Sequence, residues 1–128
     1  MRKMNQTQFL ILEVSLMESE HSIQKKIELV VSQHHCHIFR ANVGKIRTPD
    51  GRFFTTGLPS GYPDLHGWRD WDHQAFYIEV KNATGKPRPD QIAFHKMLMK
   101  FNVIHGIARN TNDALKIVEN GLVGYGYK

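Results

Sequence analysis

Residues 61–81 read Gly61-Tyr62-Pro63-Asp64-Leu65-His66-Gly67-Trp68-Arg69-Asp70-Trp71-Asp72-His73-Gln74-Ala75-Phe76-Tyr77-Ile78-Glu79-Val80-Lys81. The last seven form an aromatic and β-branched run between polar neighbours, which predicts a strand. Alternation puts Tyr77, Glu79 and Lys81 on one face and Phe76, Ile78 and Val80 on the other. If residues 69–74 turn and residues 64–68 return as a second strand, Asp64 stands where a loop becomes a strand and comes close to Glu79. Two carboxylates so placed repel unless a cation lies between them. A hard divalent ion, Mg²⁺ or Mn²⁺, is the natural occupant, with Asp64, Glu79 and the Val80 carbonyl as oxygen ligands. Lys81 is then positioned to orient or deprotonate a water, or to neutralise charge on a phosphate. The competing reading is an ordinary solvated strand face carrying Glu79 and Lys81.

Pro-Asp and acid-x-Lys are short enough to arise by chance, and Pro-Asp recurs elsewhere in the chain. Pro49-Asp50-Gly51 lies between Ile46-Arg47-Thr48 and Arg52-Phe53-Phe54-Thr55. Proline fixes φ, aspartate tolerates the bend and glycine supplies positive φ, so this pair predicts a hairpin turn. Pro63-Asp64 instead follows the glycine-rich segment 57–62.

Ile23, Ile27, Val30 and Val31 recur at helical spacing behind Ser19, predicting a helix over about 20–34 with Ser19 as N-cap. Glu20 and Gln24 share the core-facing stripe at its start. Glu20 either reaches the same metal or merely complements the helix N-terminus. Pro89 opens a second helix whose Phe94, Met97, Leu98 and Phe101 form a predicted core stripe. One turn before Phe94, Gln91 is placed to hold the lysine or a water, or only to cap the helix. Residues 103–109 predict a buried strand, and Thr111-Asn112-Asp113 cap a short helix that Gly121 ends. Helix, three strands, helix, strand, helix predict one α/β domain with a mixed central sheet flanked by helices.

The chain resembles the VRR-NUC branch of the PD-(D/E)XK nucleases, whose small stand-alone members occur in phages. The resemblance covers roughly residues 19–120 and rests on five ordered segments: Glu20 with Ile23-Gln24, Arg40-Ala41-Asn42-Val43-Gly44, Pro63-Asp64, Glu79-Val80-Lys81 and Pro89-Asp90-Gln91. Arg88 departs from the family's frequent serine cap. The resemblance implies a restriction-endonuclease-like core and a Mg²⁺- or Mn²⁺-dependent deoxyribonuclease with Asp64, Glu79, Lys81, Gln91 and Glu20 as catalytic residues. Asp64, Glu79, Val80 and Glu20 become the implied metal ligands, for one ion. Further implications are branched DNA or Holliday junctions as substrate and a homodimer, its surface drawn from residues 8–12 or 124–127. His66 shares the Asp64 face and either touches DNA or is incidental.

With 128 residues the chain is predicted to be a single domain over 1–128, with 1–18 an N-terminal extension and 122–128 a tail. A net charge of +5 suits a polyanionic partner. Arg40, Lys45, Arg47, Arg52, Lys86 and Arg88 cluster in loops flanking the predicted site and are the expected phosphate contacts, or else surface solubilisers. The absence of an 18–20-residue apolar run or secretory pattern predicts no membrane span and an intracellular, cytoplasmic protein of phage or host cell. One cysteine allows no intrachain disulfide. His34-His35-Cys36-His37 tempts toward zinc, but consecutive ligands cannot all converge on one tetrahedral ion. A non-catalytic basic DNA-binding module, or an interaction domain retaining a nuclease fold, stands as the alternative and is separable by divalent-dependent cutting.

Overall fold

The Ser19 backbone is extended and its hydroxyl accepts from the Ser22 amide at 3.1 Å, so α1 (Glu20–Ser32) starts where a side chain satisfies an open N–H. Ile23, Ile27 and Val31 form its buried stripe. The structure is a computed structural model and describes residue 3, residues 5–8 and residues 18–127. The chain continues through β1 (Cys36–Arg40), β2 (Lys45–Arg47), β3 (Phe53–Thr55), β4 (Leu65–Arg69), β5 (Ala75–Val80), α2 (Pro89–Lys100), β6 (Ile104–Ala108), α3 (Thr111–Asn120) and β7 (Val123–Tyr125).

Five strands form one mixed sheet in the order β1-β4-β5-β6-β7. β4 is antiparallel to β1 and β5, while β5, β6 and β7 are parallel, with α2 and α3 as the crossovers that parallel pairing requires. One face carries the core: Ile27, Val31, Leu65, Phe76, Ile78, Ala114, Ile117 and Val118 are fully buried between the sheet and α1 and α3. Gly67 lets β1 and β4 meet closely, because a Cβ there would lie 1.8 Å from the His37 carbonyl oxygen. Buried Arg69 donates to the Val118 carbonyl at 3.0 Å and pairs with Asp72, tying the β4–β5 turn to the end of α3. Gly121 closes α3 with φ +61.

α2 lies on the other face. His105 presents Nδ1 to the Val103 carbonyl at 2.7 Å, so that nitrogen carries the proton and Nε2 accepts from His95 Nδ1 at 2.8 Å. The His95 ring stacks on Tyr127 at 3.8 Å. Helix and C-terminal segment are thus joined through two imidazoles.

Four sequence expectations change. Five strands, not three, separate α1 from α2, because β2 and β3 pair only with each other as the Pro49-Asp50-Gly51 hairpin. The segment expected as a tail supplies β7, whose partner β6 holds it in the sheet. On α2 only Leu98 and Gln91 are buried; Met97 and Phe101 are exposed, because the helix covers the sheet beside β6 and β7 with a narrow face. The α3 cap is Asn110, accepting from Asp113 N at 2.8 Å, one residue earlier than Thr111-Asn112-Asp113. No helix among the described residues is long and apolar enough to cross a membrane.

Burial holds the His105 imidazole below its usual value, with the Val103 bond pulling the other way. Below about pH 6.5 the unfolded chain gains a proton that the buried ring resists. Stability present above that pH should therefore fall as the pH drops toward about 5, more shallowly in His105→Gln; parallel melting slopes for the two proteins would contradict this. Gly67→Ala should cost about 3 kcal/mol or more in urea unfolding, as an overpacked contact between strand backbones.

Candidate active site

Asp64 lies in the bend before β4, and its Oδ2 accepts from the Val80 amide at 2.8 Å while its carbonyl accepts from Ala41 N at 2.9 Å. The aspartate is thereby fastened to β5 on one side and to the end of β1 on the other. Register sets Leu65 opposite Ile78, which leaves Asp64 beside Glu79. Glu79 is 1% exposed and Lys81 5% exposed, so the solvated strand face is excluded. Glu79 Oε1 accepts from Gln91 Nε2 at 2.9 Å and stands 3.9 Å from Lys81 Nζ. Its buried Oε2 has no hydrogen-bond partner among the described residues. Burial first, then the neighbouring Asp64 carboxylate, pushes the Glu79 carboxyl up to about 9, with Lys81 and Arg88 pulling it down.

Gln91 has two duties. Its Oε1 accepts from Arg88 N at 2.9 Å, capping α2, while its Nε2 holds Glu79 rather than Lys81. Gly61 makes this docking possible: with φ +84, its Cβ position lies 2.2 Å from the Asp90 carbonyl oxygen, so only glycine lets the loop before Asp64 rest on the helix start.

These groups line an open cleft of about 740 Å³, walled also by Glu20 and Gln24 of α1, Arg40, Asn42 and Gly44 after β1, and Tyr62 and Arg88. Glu20 is exposed at the rim. It reaches the cleft without joining Asp64 and Glu79 in a three-acid group, and no His, Cys, Asp or Glu triad suited to a metal occurs among the described residues. The histidine run diverges, His34 pairing with Glu119 at 3.0 Å and His37 with Asp70 at 2.8 Å while Cys36 is buried. The chemistry of the acid pair nevertheless fits a divalent cation. Its donors are oxygens, one buried and unpartnered, and Mg²⁺ is held by one or two carboxylates with water completing its shell.

Of the expected phosphate contacts, Arg40 and Arg88 line the cleft. Arg47 and Arg52 are exposed on the β2–β3 hairpin, Lys45 begins β2, and Lys86 is exposed before α2. Arg52 and Arg88 pair with Asp50 at 3.4 Å and Asp90 at 3.2 Å, contacts weak enough at a surface to be exchanged for phosphate. His66 bonds to Tyr62 Oη through Nδ1 at 2.6 Å. Residues 9–12, one of the two segments expected at a dimer surface, lie outside the described residues. Arg109 went unnoticed in the sequence. Its Nη1 donates to the Asn82 and Gly85 carbonyls at 2.6 and 2.7 Å, pinning the loop that follows Lys81. The parallel register of Val80 with Ala108 was the available signal, since it sets Arg109 level with Lys81.

A family model for the VRR-NUC domain matches residues 18–112, a span that includes every cleft residue named above. A solved structure of a "VRR_NUC domain" is similar in fold, with a TM-score of 0.58 and 20% sequence identity over 80% of this chain and 97% of that one. No curated protein matches the chain.

Mg²⁺ or Mn²⁺ should raise the melting temperature of the wild type, because a cation that takes the place of the proton held on Glu79 binds the assembled acid pair and not the unfolded chain. Asp64→Asn and Glu79→Gln should abolish that rise, and Glu79→Gln should melt no lower than wild type without metal. An ion-induced rise equal in all three proteins would place the cation elsewhere.

Proposed function

Because this chain belongs to the VRR-NUC family of the PD-(D/E)XK nuclease superfamily, we propose that it is a divalent-metal-dependent endonuclease hydrolysing DNA phosphodiester bonds. The observation that carries this reading is the Glu79 carboxylate, buried beside Asp64 and Lys81 with one oxygen unpartnered. A domain selected only to bind DNA gains nothing from burying two acids side by side.

Asp64, Glu79 and the Val80 carbonyl would hold one Mg²⁺ or Mn²⁺ ion, which would supply Lewis acidity toward the phosphate and make a water more acidic. The protein's own groups do the rest. The Val80 amide fixes Asp64, and Gln91 fixes the rotation of Glu79. Buried Lys81 presents its ammonium near the acids to orient the attacking water or offset charge on the phosphate. Glu20 offers a further carboxylate from the rim. Arg40 and Arg88 receive the phosphates flanking the cut, and exposed Arg47, Arg52 and Lys86 extend that basic path.

Membership of the VRR-NUC family supports a branched substrate, such as a flap or Holliday junction. Cutting two strands of a junction needs two such sites, which favours a homodimer as the active form. The deciding assay presents linear duplex, flap, four-way junction and single strand with Mg²⁺, Mn²⁺ or chelator. Wild type should cut only with metal and fastest on a branched substrate. Lys81→Ala and Asp64→Asn should each lower the rate by at least about 100-fold while remaining folded by circular dichroism. Absence of metal-dependent cutting on every substrate would reject the enzyme.

A further inference from the structure

The hairpin of β2 and β3 is the one described sheet element that gives nothing to the main sheet. It is closed at its base by Thr56 N donating to the Gly44 carbonyl at 3.0 Å and at its tip by Thr48 N donating to the Arg52 carbonyl at 2.8 Å. Phe53 is 65% and Phe54 51% exposed on adjacent positions, so rings stand in solvent on both faces of a three-residue strand. Single exposed apolar residues need no explanation. Two rings on a cationic arm that begins and ends at a cleft do.

Position distinguishes the rings. Arg47 pairs with Phe53 across the hairpin, and its guanidinium lies over that ring at 5.8 Å from the centroid. Thr55 lines the cleft, and the two-residue strand period sets Phe53 on the same side as Thr55. Phe54 faces the other way. Gly44, at the root of the other strand, also lines the cleft. The cleft side of the arm therefore presents an aromatic face and a guanidinium together, with Arg52 nearby. That pairing is what unpaired nucleic acid takes: a base stacks on the ring while the guanidinium meets the adjoining phosphate. A base inside duplex is already stacked on its neighbours and offers no free face. A base at a branch point does.

We propose that Phe53, backed by Arg47, is a stacking site for an unpaired nucleobase at a DNA branch, and that it sets the preference for branched over linear DNA. The site rests on the reading of DNA as substrate made above, but not on cleavage. Its occupant is the nucleotide displaced where strands part.

The test measures binding with chelator present, so that nothing is cut, to a flap and a linear duplex of equal length. A fluorescent base analogue, 2-aminopurine, occupies the branch position. Wild type should quench the analogue and prefer the flap. Phe53→Ala should abolish the quenching and reduce the flap-to-linear affinity ratio by about tenfold, whereas Phe53→Trp should retain both. Phe54→Ala on the far face, and Phe101→Ala, 67% exposed just after α2, should leave both within about twofold of wild type. An unchanged ratio in Phe53→Ala, equal losses on both DNAs, or an equal effect of Phe54→Ala overturns the site. Binding of a protein segment but no DNA overturns it as well. Wild-type cutting with Mg²⁺ is scored separately: a flap preference that depends on Phe53 without cutting would sink the nuclease and keep the stacking site.

Discussion

A carboxyl group buried next to a second acid is costly to ionise, and Glu79, pushed up to about 9 by burial and by Asp64, is such a group. The surrounding structure exists in this form because that cost is held in place. The register of β4 on β5 brings Asp64 alongside, the Val80 amide fixes it, Gln91 occupies one Glu79 oxygen, and Lys81 supplies the nearest positive charge. These contacts come from β4, β5 and α2 and the residues bordering them. The hairpin, the start of α2 and the glycine contact at Gly61 must all be formed before the pair is assembled, so the site reports on the integrity of the whole fold. It is also the local arrangement that a packed core would avoid if folding were the only demand on it.

Much of this could be read from residue order. Strand β5 declared itself through Phe76, Tyr77 and Ile78, α1 through its isoleucine stripe and serine cap, and the approach of Asp64 to Glu79 through a hairpin whose turn is polar. The burial of Glu79 and Lys81 could not be read. Alternation treats a charged position as outward, and only the docking of α2 onto that face, arranged by Gly61 and Gln91 from distant parts of the chain, closes it. The same limit hid β7: Val123-Gly124-Tyr125 is too short and too glycine-rich to look like a strand until β6 lies beside it. Met97 and Phe101 erred in the opposite direction, because helical spacing tells which residues share a side but not how wide the covered side is. Arg109 needed the register of two parallel strands before its reach to Asn82 and Gly85 had meaning.

Positive charge on this molecule is graded rather than uniform. Close to the acids stands buried Lys81; at the cleft wall are Arg40 and Arg88, the latter loosely paired with Asp90; farther out Arg47 and Arg52 are exposed, with Arg52 loosely paired with Asp50. A polyanion approaching from outside meets side chains that release their partners cheaply before it meets one fixed in position, an order suited to capture first and alignment afterwards.

The separate hairpin has a consequence for how such a molecule changes over generations. Its strands pair with each other and leave the five-stranded sheet untouched, so insertions or deletions between Thr48 and Arg52 shift no register that Asp64, Glu79 or Lys81 depend on. The acids answer to the core, and the arm answers to whatever lies against it. Drift in one is insulated from the other, giving the domain a region where recognition can be rewritten without relearning the chemistry.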